Sequence, residues 1–130
     1  MTQVDWPALK AAALAVQARA YVPYSNYRVG AALLTAGGEI IAGCNVENAT
    51  YGATCCAERN AVFAAVGQGH TSFRAVAVVT NGPEPGTPCG ICRQVLAEFG
   101  SDLEVLCFTP EGAEAHYRLS ELLPHAFKLK

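Results

Sequence analysis

Charge is scarce in this chain: of its 130 residues only 15% are Asp, Glu, Lys or Arg. Basic residues do not outnumber acidic ones, nine against eleven, so no surplus is available to grip a phosphate backbone, and nucleic acid is not expected as a partner. No apolar run approaches the roughly 20 residues that cross a bilayer, so no membrane partner is expected either. Met1 to Trp6 hold no basic stretch followed by an apolar one, and are not read as a secretory signal. Repeats, low-complexity tracts and charge blocks are also missing. The expectation is one domain over residues 1–130, placed in the cytoplasm and long enough to bury about two-thirds of its unfolded surface. Histidine is sparse as well. His70, His116 and His125 have no metal spacing with one another and are read as surface residues.

Cysteine is not sparse. Six of them in an unexported chain of this size are expected as free thiols or metal ligands rather than a disulfide framework. Cys44 and Cys107 lie on apolar runs and are expected simply to pack.

The pattern of apolar and turn residues predicts a helix from Pro7 to Ala20, with Leu9, Ala13 and Val16 on its apolar stripe and Pro7 in its first turn. Two strands follow, Val29 to Thr35 and Glu39 to Cys44, joined by a tight turn at Gly37-Gly38. Asn45 to Thr54 reads as irregular. A second helix runs from Cys56 to Val66 and stops at Gly67. Phe73 to Val79 is a nearly continuous apolar run, as in a strand covered on both faces. A proline- and glycine-rich loop, Asn81 to Pro88, leads to a third helix from Cys89 to Phe99. A buried strand from Leu103 to Phe108 and an antiparallel strand at about Ala115 to Leu119 come next, then a short helical turn within Ser120 to Phe127. The order predicts an α/β fold of three layers, α/β/α, around a mixed five-stranded sheet.

Two features carry chemistry: Cys56-Ala57-Glu58 opening the second helix, and Pro88-Cys89-Gly90-Ile91-Cys92 opening the third. A helix N-terminus favours the thiolate. Two cysteines at this spacing can bind one metal, and a third thiolate from a neighbouring helix start leaves one tetrahedral position open, which is the arrangement of catalytic zinc. Cys55 beside Cys56 is an ambiguous neighbour. Register with Glu58 selects Cys56 and leaves Cys55 as a buried thiol. By residue type alone other readings stand beside these. A Cys-x-x-Cys pair is also a redox pair or half of a structural zinc site. Glu58 on a helix is ordinarily solvated, Asn45 and Glu47 are turn formers after a strand, Tyr27 and Tyr51 are half-buried packing residues, and Phe127 is a packing anchor.

Cys-x-Glu followed by Pro-Cys-x-x-Cys matches the signature of zinc-dependent nucleobase deaminases. Together with Pro23-Tyr24-Ser25, Val29-Gly30-Ala31-Ala32, Asn45-Val46-Glu47-Asn48-Ala49, the run to Arg93-Gln94 and Leu122-Leu123-Pro124, it makes the chain resemble the cytidine deaminase family in its small homo-oligomeric form. The resemblance implies the cytidine-deaminase-like fold, one zinc ion per subunit on Cys56, Cys89 and Cys92, and Glu58 as proton shuttle. It also implies ribose contacts from Asn45 and Glu47, Tyr27 against the base where relatives usually carry Phe, and Tyr51 near the sugar and subunit boundary. Phe127 would reach into a neighbouring subunit of a homotetramer with shared sites. The implied reaction is hydrolytic deamination of cytidine and 2′-deoxycytidine to the uridine forms, in pyrimidine salvage. Three thiolates carry one negative charge more than zinc offsets, so an arginine beside them is expected, with Arg59 and Arg93 the candidates. Two rivals remain: a deaminase for another amino-bearing base, and a closed four-ligand zinc or thiol module that binds a protein and has no use for Glu58.

Overall fold

The run Phe73–Thr80 lies at the centre of the sheet, and from Ala75 onward every residue in it is buried. In the computed structural model, which describes residues 3–129, it is the third of five strands. Met1, Thr2 and Lys130, at the limits of the expected 1–130 domain, lie outside the described residues. In chain order the elements are α1 (Trp6–Gln17), β1 (Val29–Thr35), β2 (Ile40–Cys44), a 3-10 turn (Tyr51–Ala53), α2 (Ala57–Gly67), β3 (Phe73–Thr80), α3 (Gly90–Ala97), β4 (Glu104–Phe108), β5 (Glu114–Arg118) and α4 (Leu119–Leu122). The sheet order is β2-β1-β3-β4-β5. Only β3 and β4 pair in parallel, the crossover between them being α3; the other pairs are antiparallel. This is the mixed five-stranded sheet read from the sequence.

Alternation along the strands sends side chains to two cores. On one face Leu9 and Ala13 of α1 pack on Ala32, Leu34, Ala77 and Leu106. On the other, Ala61, Val62 and Ala65 of α2 and Leu96 of α3 pack on Leu33, Val76 and Val105. The layers are therefore α/β/α. Gly43 in β2 sets how near α2 can come: a Cβ there would lie 2.4 Å from the Ala61 nitrogen, so only glycine admits the helix. That close approach fixes the height of the α2 start, where the chemistry-bearing residues sit.

Boundaries differ from the sequence reading at helix ends. Helix α1 stops at Gln17, and the third residue of its buried stripe is Gln17, not Val16. The Gln17 amide donates to Arg28 O at 3.1 Å, while the Arg28 guanidinium caps the helix at Ala18 O and Ala20 O, at 3.3 and 2.6 Å. These partners come from eight to eleven residues away, beyond any local pattern. Cys56 and Cys89 are caps rather than first helical residues, α3 ends at Ala97, and the last helix covers only Leu119–Leu122. Among the described residues no helix is long and apolar enough to cross a membrane.

Candidate metal centre

Cys56 occupies the N-cap position of α2 and Cys89 that of α3, both with extended backbone, and neither side chain caps its own helix. Their thiols turn instead toward a common point, which Cys92, buried one turn into α3, also faces. The Sγ atoms of Cys56 and Cys89 are 3.8 Å apart, those of Cys89 and Cys92 3.5 Å, and all three lie within 4.8 Å of one another. A disulfide would need about 2.05 Å. Ligands about 2.3 Å from a tetrahedral zinc lie about 3.8 Å from each other, so the spacing suits a metal. Among the described residues this is the one His, Cys, Asp and Glu group so compact.

The charges point the same way. The Cys56 thiol is pulled down to about 5, first by the hydrogen bond from Cys92, then by Arg59 and Cys89, against burial. Cys92 is held protonated, well above its ordinary range, by giving that hydrogen bond and by its burial. Thiols this close oppose one another's ionisation, and a divalent cation would let all three bind as thiolates. Arg59 Nη2 lies 3.3 Å from Cys56 Sγ, while Arg59 Nε is buried with no hydrogen-bond partner. Arg93, the other arginine expected beside the thiolates, makes its hydrogen bonds elsewhere. Its donors go to Pro88 O, Thr87 Oγ1 and Leu122 O.

Glu58 lies in the first turn of α2 and is 5% exposed. Burial pushes its carboxyl up to about 7. It faces a cavity of about 180 Å³ whose lining includes Tyr27, Asn45, Cys56, Thr80 and Cys89. Asn45 is fixed at both ends of its amide: Oδ1 accepts from Val29 N at 2.9 Å and Nδ2 donates to Tyr27 O at 2.8 Å. The end of β2 thus holds Tyr27 and the start of β1 at the cavity wall.

The remaining candidates lie elsewhere in the subunit. Glu47 and Tyr51 line a second cleft of about 360 Å³ with Tyr24, Ser25, Asn48 and Thr54. The Glu47 carboxylate accepts from Tyr24 N at 3.0 Å, Ser25 N at 3.2 Å and the Ser25 hydroxyl. The Ser25 hydroxyl is the main reason its carboxyl lies below the usual range. Tyr51 is 83% exposed and Phe127 70%. Phe127 belongs to neither cleft; its backbone exchanges hydrogen bonds with the Gln94 amide, at 3.0 and 3.2 Å.

Thr80 was not singled out from the sequence. It ends β3, is buried in the cavity wall, and its hydroxyl accepts from Gly86 N at 3.3 Å. Its one signal was a polar residue closing an apolar strand. Cys55, expected buried, is half-buried, and so is Cys44, whereas Cys107 is buried with its thiol pushed up to about 12 by that burial. All six cysteines are free.

Residues 6–108 match the family model described as the cytidine and deoxycytidylate deaminase zinc-binding region. The chain is 50% identical over 116 residues to a cytidine deaminase of Halalkalibacterium halodurans, covering 87% of this chain and 88% of that one. It is 45% identical over 129 residues to the cytidine deaminase of Mycobacterium tuberculosis, covering 99% and 94%. The crystal structure of cytidine deaminase from Burkholderia pseudomallei superposes with a TM-score of 0.90 at 47% identity, over 98% of this chain and all of that one.

Proposed function

This chain belongs to the cytidine and deoxycytidylate deaminase family, and from that premise we propose that it hydrolyses cytidine and 2′-deoxycytidine to uridine and 2′-deoxyuridine with release of ammonia. The observation that carries this reading is the single cavity onto which Glu58, Cys56, Cys89, Asn45 and Tyr27 open together. A buried carboxylic acid and a compact thiol cluster facing one hollow suit proton transfer on a polar ligand.

Cys56, Cys89 and Cys92 would hold one zinc ion per subunit. When bound, zinc supplies a Lewis acid that brings the pKa of water toward neutrality. Glu58 receives one proton of the attacking water and passes it to the pyrimidine ring nitrogen, then takes the remaining proton from the new hydroxyl and delivers it to the departing amino group. The carbon–nitrogen bond to the amino group breaks as the new carbon–oxygen bond becomes a carbonyl. Arg59 places a positive charge against Cys56, which offsets the excess negative charge of three thiolates. Tyr27 packs against the base, and Asn45 and Glu47 bind the ribose hydroxyls. Because Glu47 already accepts three bonds from Tyr24 and Ser25, that loop and the sugar contact are set together.

Tyr51 and Phe127 act at a subunit boundary of a homotetramer with shared sites. Their exposure supports this, as do the exposed apolar side chains Phe63 and Val66 on the outer side of α2 and Ile91 on α3. Sedimentation of the protein should then report four subunits. The same reading places the enzyme in the cytoplasm, salvaging pyrimidine nucleosides. The direct test is loss of cytidine's ultraviolet absorbance on adding purified protein, with a chelated sample beside it. Loss that stops on chelation is expected. No loss from protein that holds zinc would mean a different amino-bearing base.

A further inference from the structure

The two helix starts that present Cys56 and Cys89 are secured by different means. The residue before Cys56 is bridged by backbone on both sides: Cys55 N donates to Val46 O and Val46 N to Cys55 O, each at 3.0 Å. The residue before Cys89 is Pro88, which has no N–H to give, and the segment from 81 to 88 that leads to it belongs to no helix or strand. Cys89 is also the exposed thiol of the three. A thiol at the end of an irregular loop needs some other anchor to stay within a few tenths of an ångström of a ligand position.

Arg93 supplies contacts of the right kind. From one turn inside α3 its side chain reaches back to the helix start, where Nε donates to Pro88 O at 2.7 Å and Nη2 to Thr87 Oγ1 at 3.0 Å. The third arm, Nη1, donates to Leu122 O at 2.8 Å, which fixes the guanidinium plane against the end of α4. Thr80 holds the same loop further upstream through Gly86 N. A planar fork with three acceptors in place keeps its geometry at little further entropic cost, and lysine cannot reproduce it.

We propose that Arg93 is a positioning residue for the metal centre: it holds the Thr87-Pro88 approach so that the Cys89 thiol stays in ligand position, its own hydrogen bonds going to the loop and to α4. This rests on the reading of Cys56, Cys89 and Cys92 as the zinc set. Second-sphere partners that orient a ligand typically change metal affinity about 10- to 100-fold when removed.

The test is the rate at which zinc passes from fully loaded protein to an excess of a chromophoric chelator. It compares wild type, Arg93→Met, Arg93→Lys and Arg28→Met. Arg28 clamps Ala18 O and Ala20 O in the same manner but has no hydrogen bond to the loop that carries Cys89. Its loss therefore measures ordinary destabilisation. Expected are release at least about tenfold faster from Arg93→Met, an intermediate rate from Arg93→Lys, and a wild-type rate from Arg28→Met. If Arg93→Met fails to fold, Arg93→Lys against Arg28→Met decides alone. Wild-type release from the Arg93 variants, or equal acceleration by Arg28→Met, would overturn the proposal while leaving the zinc site in place. Wild-type protein that holds no zinc would overturn both.

Discussion

At the start of α1, Asp5 takes the N-cap position and its carboxylate accepts from Ala8 N at 3.1 Å, with Pro7 in the first turn. At the starts of α2 and α3 the same position holds Cys56 and Cys89, and neither side chain caps. A good cap contributes about 0.5–2 kcal/mol. The α1 end satisfies its own amides, whereas the other two leave first-turn amides and the positive end of the helix directed at a thiol cluster. Local stability is given up where the proposed chemistry sits and kept where the chain only folds.

Substitutions can break this contrast from either side. The largest effect is expected from Cys92→Ala, which removes the buried ligand. Zinc measured per subunit should fall to background and deamination should vanish, because two thiols do not hold the ion against competition. Next is Gly43→Ala, on the sheet beneath α2. The new Cβ would meet Ala61 N at 2.4 Å and Ala57 O at 2.8 Å, so α2 must shift. A loss of about 1–3 kcal/mol in denaturant unfolding is expected, with weaker zinc retention because Cys56 moves with the helix. Asp5→Ala should cost about 1 kcal/mol on the same assay and leave zinc content and turnover as they were. The smallest effect has the opposite sign. Cys89→Ser abolishes the metal site but offers α3 a better cap, so the metal-free variant should match or exceed metal-free wild type by up to about 1 kcal/mol. A clear loss of metal-free stability in Cys89→Ser would mean that the thiol contributes to the fold itself.

The same contrast explains what could be read from the sequence. Cys56, Glu58, Cys89 and Cys92 were legible because each helix start is announced by its neighbours and the chemistry depends on short, fixed spacings. Strand β1 was legible to the residue, since seven consecutive buried positions on a central strand leave little choice of ends. The end of α1 was not, because Arg28 and Gln17 settle it through contacts across a loop. The partners of Arg93 are illegible for the same reason: charge balance argues for the thiolates, while the guanidinium donates to three oxygens at Thr87, Pro88 and Leu122. The division of Asn45 and Glu47 between two clefts depends on the direction of successive side chains after β2, which alternates in a strand but is not fixed in a turn.

One measurement addresses the central claim that the thiols hold the metal and Glu58 moves the protons. Zinc content and cytidine turnover are determined on the same preparation of Glu58→Gln, an isosteric change at a buried site. One zinc per subunit with turnover reduced about 10²- to 10⁴-fold is expected. Turnover at the wild-type rate with zinc in place would contradict the assignment of Glu58, and loss of zinc with turnover would make Glu58 part of the metal site instead.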